Sequence, residues 1–506
     1  MKSRLVWTLV QGLVTAVSLV LPVCPALLGQ DFEWVRQFRA EVCNSISVDP
    51  EAVYLAGSTD GVLPDQTSAG ELDAFVRRYD RSGMEVWTRQ FGTNASDAAC
   101  AVSFDASGIY VGGWTAGVFP GQAAGGLAFL RKYDRSGTEV WTRQFGENSI
   151  LGAISADSSG IYAAGITDST LPGQMSSGGS DAFVRKYDPD GSEVWTRQFG
   201  SDDFDSVQRI SIDSSGLYVG GITRGELPGQ IRTGSSDAFL RKYDRIGKEI
   251  WTRQFGPAQI TGVFADSSGV YVAGDTIGVL KGTGFDVFLR KYDAGGAEIW
   301  SRQFGSEVSE QALGGVFATA TGVYVAGTTG GVLPGANRGY FPGQETAGDF
   351  DYFLKNYDLN GAEVWTCQSR TGGHGEVVGI AGDPSGVFIV GITDGNAQRA
   401  DVFVAKLKDV AHGCAPLFRR GDTNADTSVN LTDAMTILGF MFLGGGSPGC
   451  AKAADVNDDG ANNLSDALTL LGYLFLGGQA PPEPFSACGS DPTPEDGLGC
   501  ESQPPC

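Results

Sequence analysis

The chain has 506 residues, which exceeds one ordinary compact domain, and its 74 glycines favour many short strands joined by turns. The formal charge of −23 repels phosphate backbones and excludes nucleic acid as a partner. With only two histidines, a histidine-rich metal centre is excluded and a Ser-His-Asp catalytic site is hard to build. A site made of carboxylates alone stays open.

The N-terminus has the pattern of an export signal. Lys2 and Arg4 give a positive start, Leu5–Leu21 is mostly apolar, and Pro22–Gln30 supplies a processing region. The alternative is a membrane anchor, because the apolar stretch is near the lower length limit for spanning. We expect residues 1–30 to be a signal peptide, and the mature protein to be secreted or on the cell surface, without a transmembrane segment.

One motif, mostly EVWTRQFG or EIWTRQFG, recurs seven times at spacings of 49 to 65 residues. Its tryptophans are Trp34, Trp87, Trp141, Trp195, Trp251, Trp300 and Trp365. Each unit also holds two short turns, such as Asp105–Gly108 and Asp80–Gly83, in which an Asp opens the turn and a Gly with positive φ closes it. Such turns join antiparallel neighbours, so each unit predicts a four-stranded meander.

Seven meanders bury both faces of every sheet when they pack radially in a ring, which predicts an all-β, seven-bladed β-propeller over residues 31–408. The chain enters with a lone strand around Trp34 and leaves with another, Asp401–Leu407. Pairing these two strands would close the last blade and remove the exposed sheet edges.

The recurring IYVGG, LPGQ, DAFVRKYD and EVWTRQFG segments resemble SBBP-type bacterial β-propeller repeats. The resemblance implies a fold of exported and surface proteins and no defined reaction. Alternate connections of a meander lie on one side, so the LPGQ loop and the loop after EVWTRQFG share a face, here called the long-loop face. It is the candidate binding surface, and the longest loop, with Arg338, Tyr340 and Phe341, is the candidate for a specialised contact.

Two further sets of repeated residues are interpreted as structural. The recurrent acids that begin the third strand predict loop-fixing hydrogen bonds: Asp73, Asp181, Asp237, Asp286, Asp351 and Asp401. The basic pairs predict packing between blades and solvated outer strands: Arg77-Arg78, Arg131-Lys132, Arg185-Lys186 and Arg241-Lys242.

Near the C-terminus two twelve-residue loops place oxygen-bearing groups at positions 1, 3, 5, 7, 9 and 12, the arrangement that surrounds a hard cation. The predicted calcium ligands are Asp422, Asn424, Asp426, Ser428, Asn430 and Asp433 in the first loop and Asp455, Asn457, Asp459, Ala461, Asn463 and Asp466 in the second, with Ser428 and Ala461 acting through their carbonyls. Apolar helices are predicted at Ala434–Leu443 and Ala467–Leu476. The alternative is a pair of acidic turns without metal.

This duplicated pattern, over residues 421–480, resembles type I dockerin modules, which implies two calcium ions and docking onto a cohesin partner. Three features depart from the family: Thr427 replaces the turn glycine, Asn462 replaces an apolar residue, and the recognition pairs start at Leu431 and Leu464. We therefore expect the first loop to be the weaker site, and calcium binding to be better preserved than ordinary cohesin recognition.

The remaining boundaries are a linker at 409–420 and a Pro-, Gly- and Cys-rich tail at 481–506, which we expect to wrap the calcium module or form disulfides. The leading function is an exported, non-catalytic binding or scaffolding protein, whose calcium-dependent module docks a protein partner. The propeller face would bind a carbohydrate or surface ligand. The alternatives are a carbohydrate-active exported enzyme and a purely structural cell-surface protein.

Overall fold

The computed structural model of the protein describes residues 32–40, 42–277, 284–333, 336–340, 350–370, 375–394, 400–407, 418–486, 498 and 500. The predicted signal peptide, both histidines, Phe341, Cys488 and Cys506 lie outside the described residues. No helix in these described ranges is long and apolar enough to cross a membrane.

Seven separate sheets form the bulk of the chain, one for each sequence unit, and all of their strand pairs are antiparallel except one in blade 6. The strands are β1 (Phe32–Arg39), β2 (Val42–Val48), β3 (Ala52–Thr59), β4 (Asp73–Asp80), β5 (Glu85–Phe91), β6 (Asp97–Asp105), β7 (Gly108–Thr115), β8 (Ala128–Tyr133), β9 (Glu139–Phe145), β10 (Ser149–Asp157), β11 (Gly160–Thr167), β12 (Asp181–Tyr187), β13 (Glu193–Phe199), β14 (Asp205–Asp213) and β15 (Gly216–Thr223). Blade 1 comprises β2–β5, blade 2 β6–β9 and blade 3 β10–β13, while blade 4 starts with β14.

The second half of the propeller follows the same order. Its strands are β16 (Asp237–Tyr243), β17 (Glu249–Phe255), β18 (Ala258–Asp266), β19 (Gly269–Ile277), β20 (Phe285–Tyr292), β21 (Glu298–Phe304), β22 (Glu310–Ala318), β23 (Val323–Thr329), β24 (Ala336–Tyr340), β25 (Asp351–Tyr357), β26 (Glu363–Arg370), β27 (Gly375–Asp383), β28 (Gly386–Asp394) and β29 (Ala400–Leu407). Blade 5 comprises β18–β21, blade 6 β22–β26 and blade 7 β27–β29 with β1. The first strand of each blade contacts its counterpart in the next blade and surrounds the central channel.

The two ends of the propeller close the ring as predicted. In blade 7, β1 pairs with β29 in antiparallel register, with Trp34 opposite Lys406 and Phe38 opposite Val402. The seven-bladed β-propeller is therefore confirmed. Blade 6 carries an additional strand, because β24, part of the longest loop, pairs in parallel with the outer strand β26.

A repeated contact joins each blade to the next. The indole Nε1 of the outer strand donates to a backbone carbonyl of the next blade's outer turn, in the pairs Trp34–Arg81, Trp87–Arg135, Trp141–Pro189, Trp195–Arg245, Trp251–Ala294 and Trp300–Leu359. The glycine that ends this turn has a left-handed φ of 79° at Gly191, and a Cβ placed there would lie 2.9 Å from the Trp141 ring. The repeated Trp and the repeated turn glycine are thus two sides of one contact between blades.

The basic pairs also pack between blades. The first member of each pair stacks on a phenylalanine of the preceding blade, in the contacts Arg77–Phe38, Arg131–Phe91, Arg185–Phe145 and Arg241–Phe199. Each of these four guanidinium groups also donates to a threonine of its own outer strand, as Arg77 does to Thr88 at 2.8 Å. The prediction of packing between blades is confirmed, whereas solvated outer strands were wrong for these side chains, since all except Arg78 are buried.

The C-terminal unit is helical and contains α1 (Leu431–Phe442), α2 (Ala451–Ala454) and α3 (Leu464–Leu476). Its small core is formed by α1, α3 and the start of the second loop, with Ile437, Val456 and Leu470 at its centre. Both predicted helices exist, but each begins three residues before its predicted start.

Candidate metal centre

The earlier helix starts have a clear local cause. Asn430 accepts from the backbone of Thr432, and the Asp433 carboxylate accepts from the Asn430 backbone, which completes a capping box. Asn463 and Asp466 form the same arrangement at α3. An asparagine N-cap with an acid three residues later satisfies free amide groups of the first turn, so the helix begins directly after it. The acid at position 12 is therefore fixed at a helix terminus.

The first loop brings three of its predicted ligands together. Asp422, Asp426 and Asp433 each offer a carboxylate oxygen, and these oxygens all lie within 4.8 Å of one another. Asp422 and Asp433 are buried, whereas Asp426 is exposed. Backbone amides orient the buried acids: Asp422 accepts from Asp426 and Thr427 at 3.1 and 3.0 Å, and Asp433 accepts from Thr423 at 2.8 Å.

The electrostatics of this cluster suit a bound cation. Burial raises the pKa of Asp422, and the nearby Asp433 charge raises it further. Bringing carboxylates together out of water disfavours their charged form, and a divalent ion with oxygen ligands removes that repulsion. The donor set therefore fits calcium, which prefers carboxylate and carbonyl oxygens.

The second loop repeats the same framework. Asp455 accepts from the Asp459 and Gly460 amides, and Asp466 accepts from Asn457 and Asn463. Burial raises the pKa of Asp455 and of Asp466, whereas the hydrogen bond from Asn457 lowers the pKa of the exposed Asp459. Among the described residues only the first loop holds three carboxylate oxygens within 4.8 Å.

The other predicted ligands make hydrogen bonds within their own loops. Asn430 donates to the Ser428 carbonyl at 3.2 Å, and Asn463 donates to the Ala461 carbonyl at 3.0 Å. Both carbonyls thus lie beside the position-9 side chains, as coordination would need. In the same way, Asn424 and Asn457 donate to the position-5 carboxylates. Their roles as calcium ligands stay predictions.

At position 6, the backbone of the first loop is strained, whereas that of the second loop is not. Thr427 has a φ of 70°, in the left-handed region, where its counterpart in the second loop is Gly460 at 82°. A β-branched residue in this region is strained, whereas glycine is not. This strain supports the expectation that the first loop is the weaker site.

Sequence reasoning missed two arginines that hold the loops. Arg419 donates to the Thr427 carbonyl of the first loop at 3.1 Å. Arg420 is buried, donates to the Asp455 carbonyl and pairs with Asp458 at 2.8 Å in the second loop. Two adjacent bases directly before the first acidic loop were the available signal.

Two described residues of the tail, Phe485 and Cys500, contact the helical unit, and Cys500 forms a disulfide as expected. Cys450, the N-cap of α2, forms a disulfide with Cys500, and Phe418 packs beside this pair. Phe485 contacts the ring of Tyr473 edge-on at 4.9 Å between centroids. The short helix α2 and the role of Cys450 were not predicted.

The surface of the helical unit exposes apolar side chains in pairs offset by 33 residues. These pairs are Leu431 with Leu464, Met435 with Leu468, Phe440 with Tyr473, Phe442 with Phe475 and Leu443 with Leu476. The last pair is the most exposed, at 85% and 84%. Paired exposed apolar side chains of this kind mark an interaction surface. Of these ten residues, only Leu431 and Leu464 were predicted from the sequence to take part in recognition.

On the long-loop face of the propeller, the LPGQ segments form anchored turns. In blade 3 the Gln174 amide donates to the Leu171 carbonyl at 3.0 Å across Gly173, whose φ is 73°. The Ser177 amide of the same loop donates to the Asp181 carboxylate at 3.0 Å, and Gln198 of the outer strand donates to it at 2.7 Å, which confirms the loop-fixing role of this acid. The turns are therefore rigid, with Pro172 exposed at the tip.

Two solved structures resemble this chain at low sequence identity. The WD40 domain of Neurospora crassa Pan2 is 11% identical, with a TM-score of 0.42, over 72% of this chain and 89% of that one. A neuraminidase-like protein of a bat influenza virus of subtype N10 is 8% identical, with a TM-score of 0.35, over 62% of this chain and 93% of that one.

A curated relative, the regulatory protein FlaEY of Caulobacter vibrioides, is 28% identical over 254 residues, which cover 45% of this chain and 25% of that protein. The chain thus matches about a quarter of the length of this relative. Residues 420–475 match the family model of the dockerin type I domain. The helical unit that carries the two acidic loops is a dockerin type I domain.

Proposed function

We propose that this protein is an exported, non-catalytic scaffold that docks through its dockerin domain and presents a propeller for binding. The observation that supports it most strongly is the duplicated acidic loop, each copy followed by a helix with exposed apolar residues. Two calcium ions, one in each loop, would fix the helices, and the paired apolar side chains would then contact a cohesin-type partner protein.

Three features support an extracellular location. The N-terminal sequence predicts a signal peptide, the Cys450–Cys500 disulfide suits an oxidising compartment, and dockerin domains are typical of extracellular or cell-surface proteins. A calcium-dependent docking site also suits a medium in which this ion is abundant.

Calorimetry of the full chain tests the metal part of the proposal. Titration with calcium chloride should give a stoichiometry of two, and the heat should disappear in the variant Asp422→Ala/Asp455→Ala. Asp190→Ala removes an exposed acid of the propeller and serves as the matched control, which should bind as the native chain does. Unchanged calcium binding in the double variant would refute the site.

Docking is tested on an immobilised type I cohesin domain with and without chelator. Leu443→Ser/Leu476→Ser removes the two most exposed apolar side chains and should weaken binding at least about tenfold, while calcium binding stays intact. Retention that is insensitive to chelator, or unaffected by the double variant, would contradict the proposed docking surface. Hydrolysis of a polysaccharide panel by the full chain would contradict the non-catalytic assignment.

A further inference from the structure

The central channel contains a cavity that the docking function leaves unused. Its volume is about 330 Å³, within the range of about 300–1,000 Å³ typical of small-molecule sites. The inner strands of blades 3 to 6 line it, and most of the lining residues lie at the ends of strands nearest the long-loop face. Ile150, Val207 and Leu313 form apolar walls, whereas Gln208, Arg209 and Gln259 supply polar groups.

Arg209 is an exception among the seven repeats. The first strand of each blade has a bulge or irregularity in its pairing with the second strand. The first residue after this irregularity pairs with the equivalent residue of the second strand in every blade, so it can be compared across the seven blades. The residues at this position are Ser45, Ala101, Ala153, Arg209, Gly262, Gly315 and Gly379. Six blades build this position with a small side chain, so the blade architecture does not require an arginine.

The charge of Arg209 has no counter-ion among the described residues. Among the described residues, the guanidinium makes one hydrogen bond, from Nη1 to the Gln208 carbonyl at 2.8 Å, and no described carboxylate pairs with it. Burial lowers the pKa of Arg209. The guanidinium also interacts electrostatically with the Cys100 thiol of blade 2. Burying part of a guanidinium without an anion beside it destabilises the folded state. The chain has an excess of carboxylates, with a net charge of −23, yet none of the described ones is placed beside Arg209.

The neighbouring Gln208 adds a second requirement. Its Oε1 is buried and has no hydrogen-bond partner. Buried acceptors are nearly always satisfied, so this atom would gain from a donor supplied by a bound molecule. A guanidinium binds a carboxylate through two parallel hydrogen bonds, and an amide oxygen accepts from a hydroxyl.

We infer that the central channel binds a small hydroxylated carboxylate of the uronic acid class. Arg209 holds the carboxylate, the Gln208 amide oxygen accepts from a hydroxyl, and the apolar walls contact the carbon skeleton. This inference gives a chemical class to the ligand of the proposed scaffold, and so rests on the binding role proposed for the propeller. It does not depend on the dockerin domain, which holds none of these residues.

The test is calorimetry of the full chain with sodium glucuronate and sodium galacturonate. Arg209→Ser copies the residue that blade 1 has at this position and should fold, because that blade packs around Ser45. We expect saturable binding of a uronate to the native chain and a loss of at least about tenfold in Arg209→Ser. Gln208→Met should weaken uronate binding less, while leaving the affinity for acetate unchanged.

Arg232→Ser is the matched control, because Arg232 is an exposed arginine of the long loop of blade 4. It should bind uronate as the native chain does. Equal affinity in the native chain and Arg209→Ser would overturn the inference, as would equally tight binding of glucose or of inorganic phosphate. Uronate binding should persist in chelator, so failure of calcium docking and failure of the channel site are distinguishable.

Discussion

The propeller and the dockerin domain are both built from repeats, but repetition means different things in them. In the propeller, the residues present in nearly every copy, such as Trp141 and Gly191, hold one blade against the next. In the dockerin domain, the residues present in both copies, such as Asp422 and Asp455, are the predicted calcium ligands, and each accepts from backbone amides of its own loop. In the propeller, the repeated residues are thus structural, and the functional candidate is Arg209, which departs from the repeat. In the dockerin domain, the repeated residues themselves form the candidate calcium site.

Removing calcium should have the largest effect, and should affect one region alone. At a concentration one hundred times its dissociation constant, each ion stabilises the folded state by about 2.7 kcal/mol. Chelation of the full chain should therefore lower the unfolding transition of the dockerin domain and leave that of the propeller unchanged. Calorimetric scanning separates the two transitions, and a parallel shift of both would contradict the comparison.

Substitution of two turn glycines, Gly191 and Gly173, tests the contact between neighbouring blades. Gly191 and Gly173 both have left-handed φ values, 79° and 73°, but only Gly191 faces a neighbouring ring, since nothing lies within 4 Å of a Cβ at Gly173. Both substitutions to alanine cost about 1 kcal/mol through backbone strain. Gly191→Ala should cost roughly 1–3 kcal/mol more because it forces Trp141 away. Urea unfolding measures the difference, and equal losses would remove the proposed contact between blades.

Asp275 is a buried acid of the propeller that does not recur in the other blades, and its burial predicts a pH dependence of stability. Burial raises its pKa to about 6, although it accepts from the Ala312 amide at 2.7 Å and from Gln259 at 3.1 Å. Because the folded chain binds this proton more tightly than the unfolded chain, stability is lost as the pH rises from about 4 through 6. Asp275→Asn should be more stable than the native chain at pH 7, by about 2 kcal/mol, and should lose this part of the pH dependence.

Urea unfolding at pH 4 and pH 7 measures this effect. Asp190→Asn, at an exposed position, is the control and should follow the native pH profile. A native pH profile in Asp275→Asn would show that burial of this carboxylate has no energetic consequence.

The smallest predicted effect concerns the one repeat without its partner. Trp87 and Trp365 are equally buried, at 8% exposure, but Trp87 Nε1 donates to the Arg135 carbonyl whereas Trp365 Nε1 has no hydrogen-bond partner among the described residues. Both changes to phenylalanine lose similar packing area. Trp87→Phe should cost about 1 kcal/mol more than Trp365→Phe, because only it breaks a hydrogen bond. Equal unfolding free energies would show that this bond adds nothing to the contact.

Much of the fold could be predicted from the sequence because the signals recur. Seven copies of one motif predicted seven blades, and the lone strand around Trp34 predicted the closure of the ring. The helix starts were wrong because Asn430 and Asn463 were interpreted only as ligands, although asparagine is also a strong N-cap.

The channel residues show why the rest could not be predicted. Arg209 lies in the most variable strand of the unit, and its position became comparable across blades only once the pairing register was known. The exposed apolar pairs of the dockerin domain could not be predicted either, because their exposure depends on how the two helices pack. Helical periodicity shows which residues are apolar, but not which of the two apolar faces is covered by the other helix.

Closure by β1 and β29 has a consequence for biosynthesis. The outermost strand of blade 7 is among the first parts of the propeller to leave the ribosome, and its partner β29 is the last. The other six blades can assemble as they emerge, but the seventh has to wait for the whole array. The ring can therefore close only after the chain has been synthesised through Leu407, the last residue of β29.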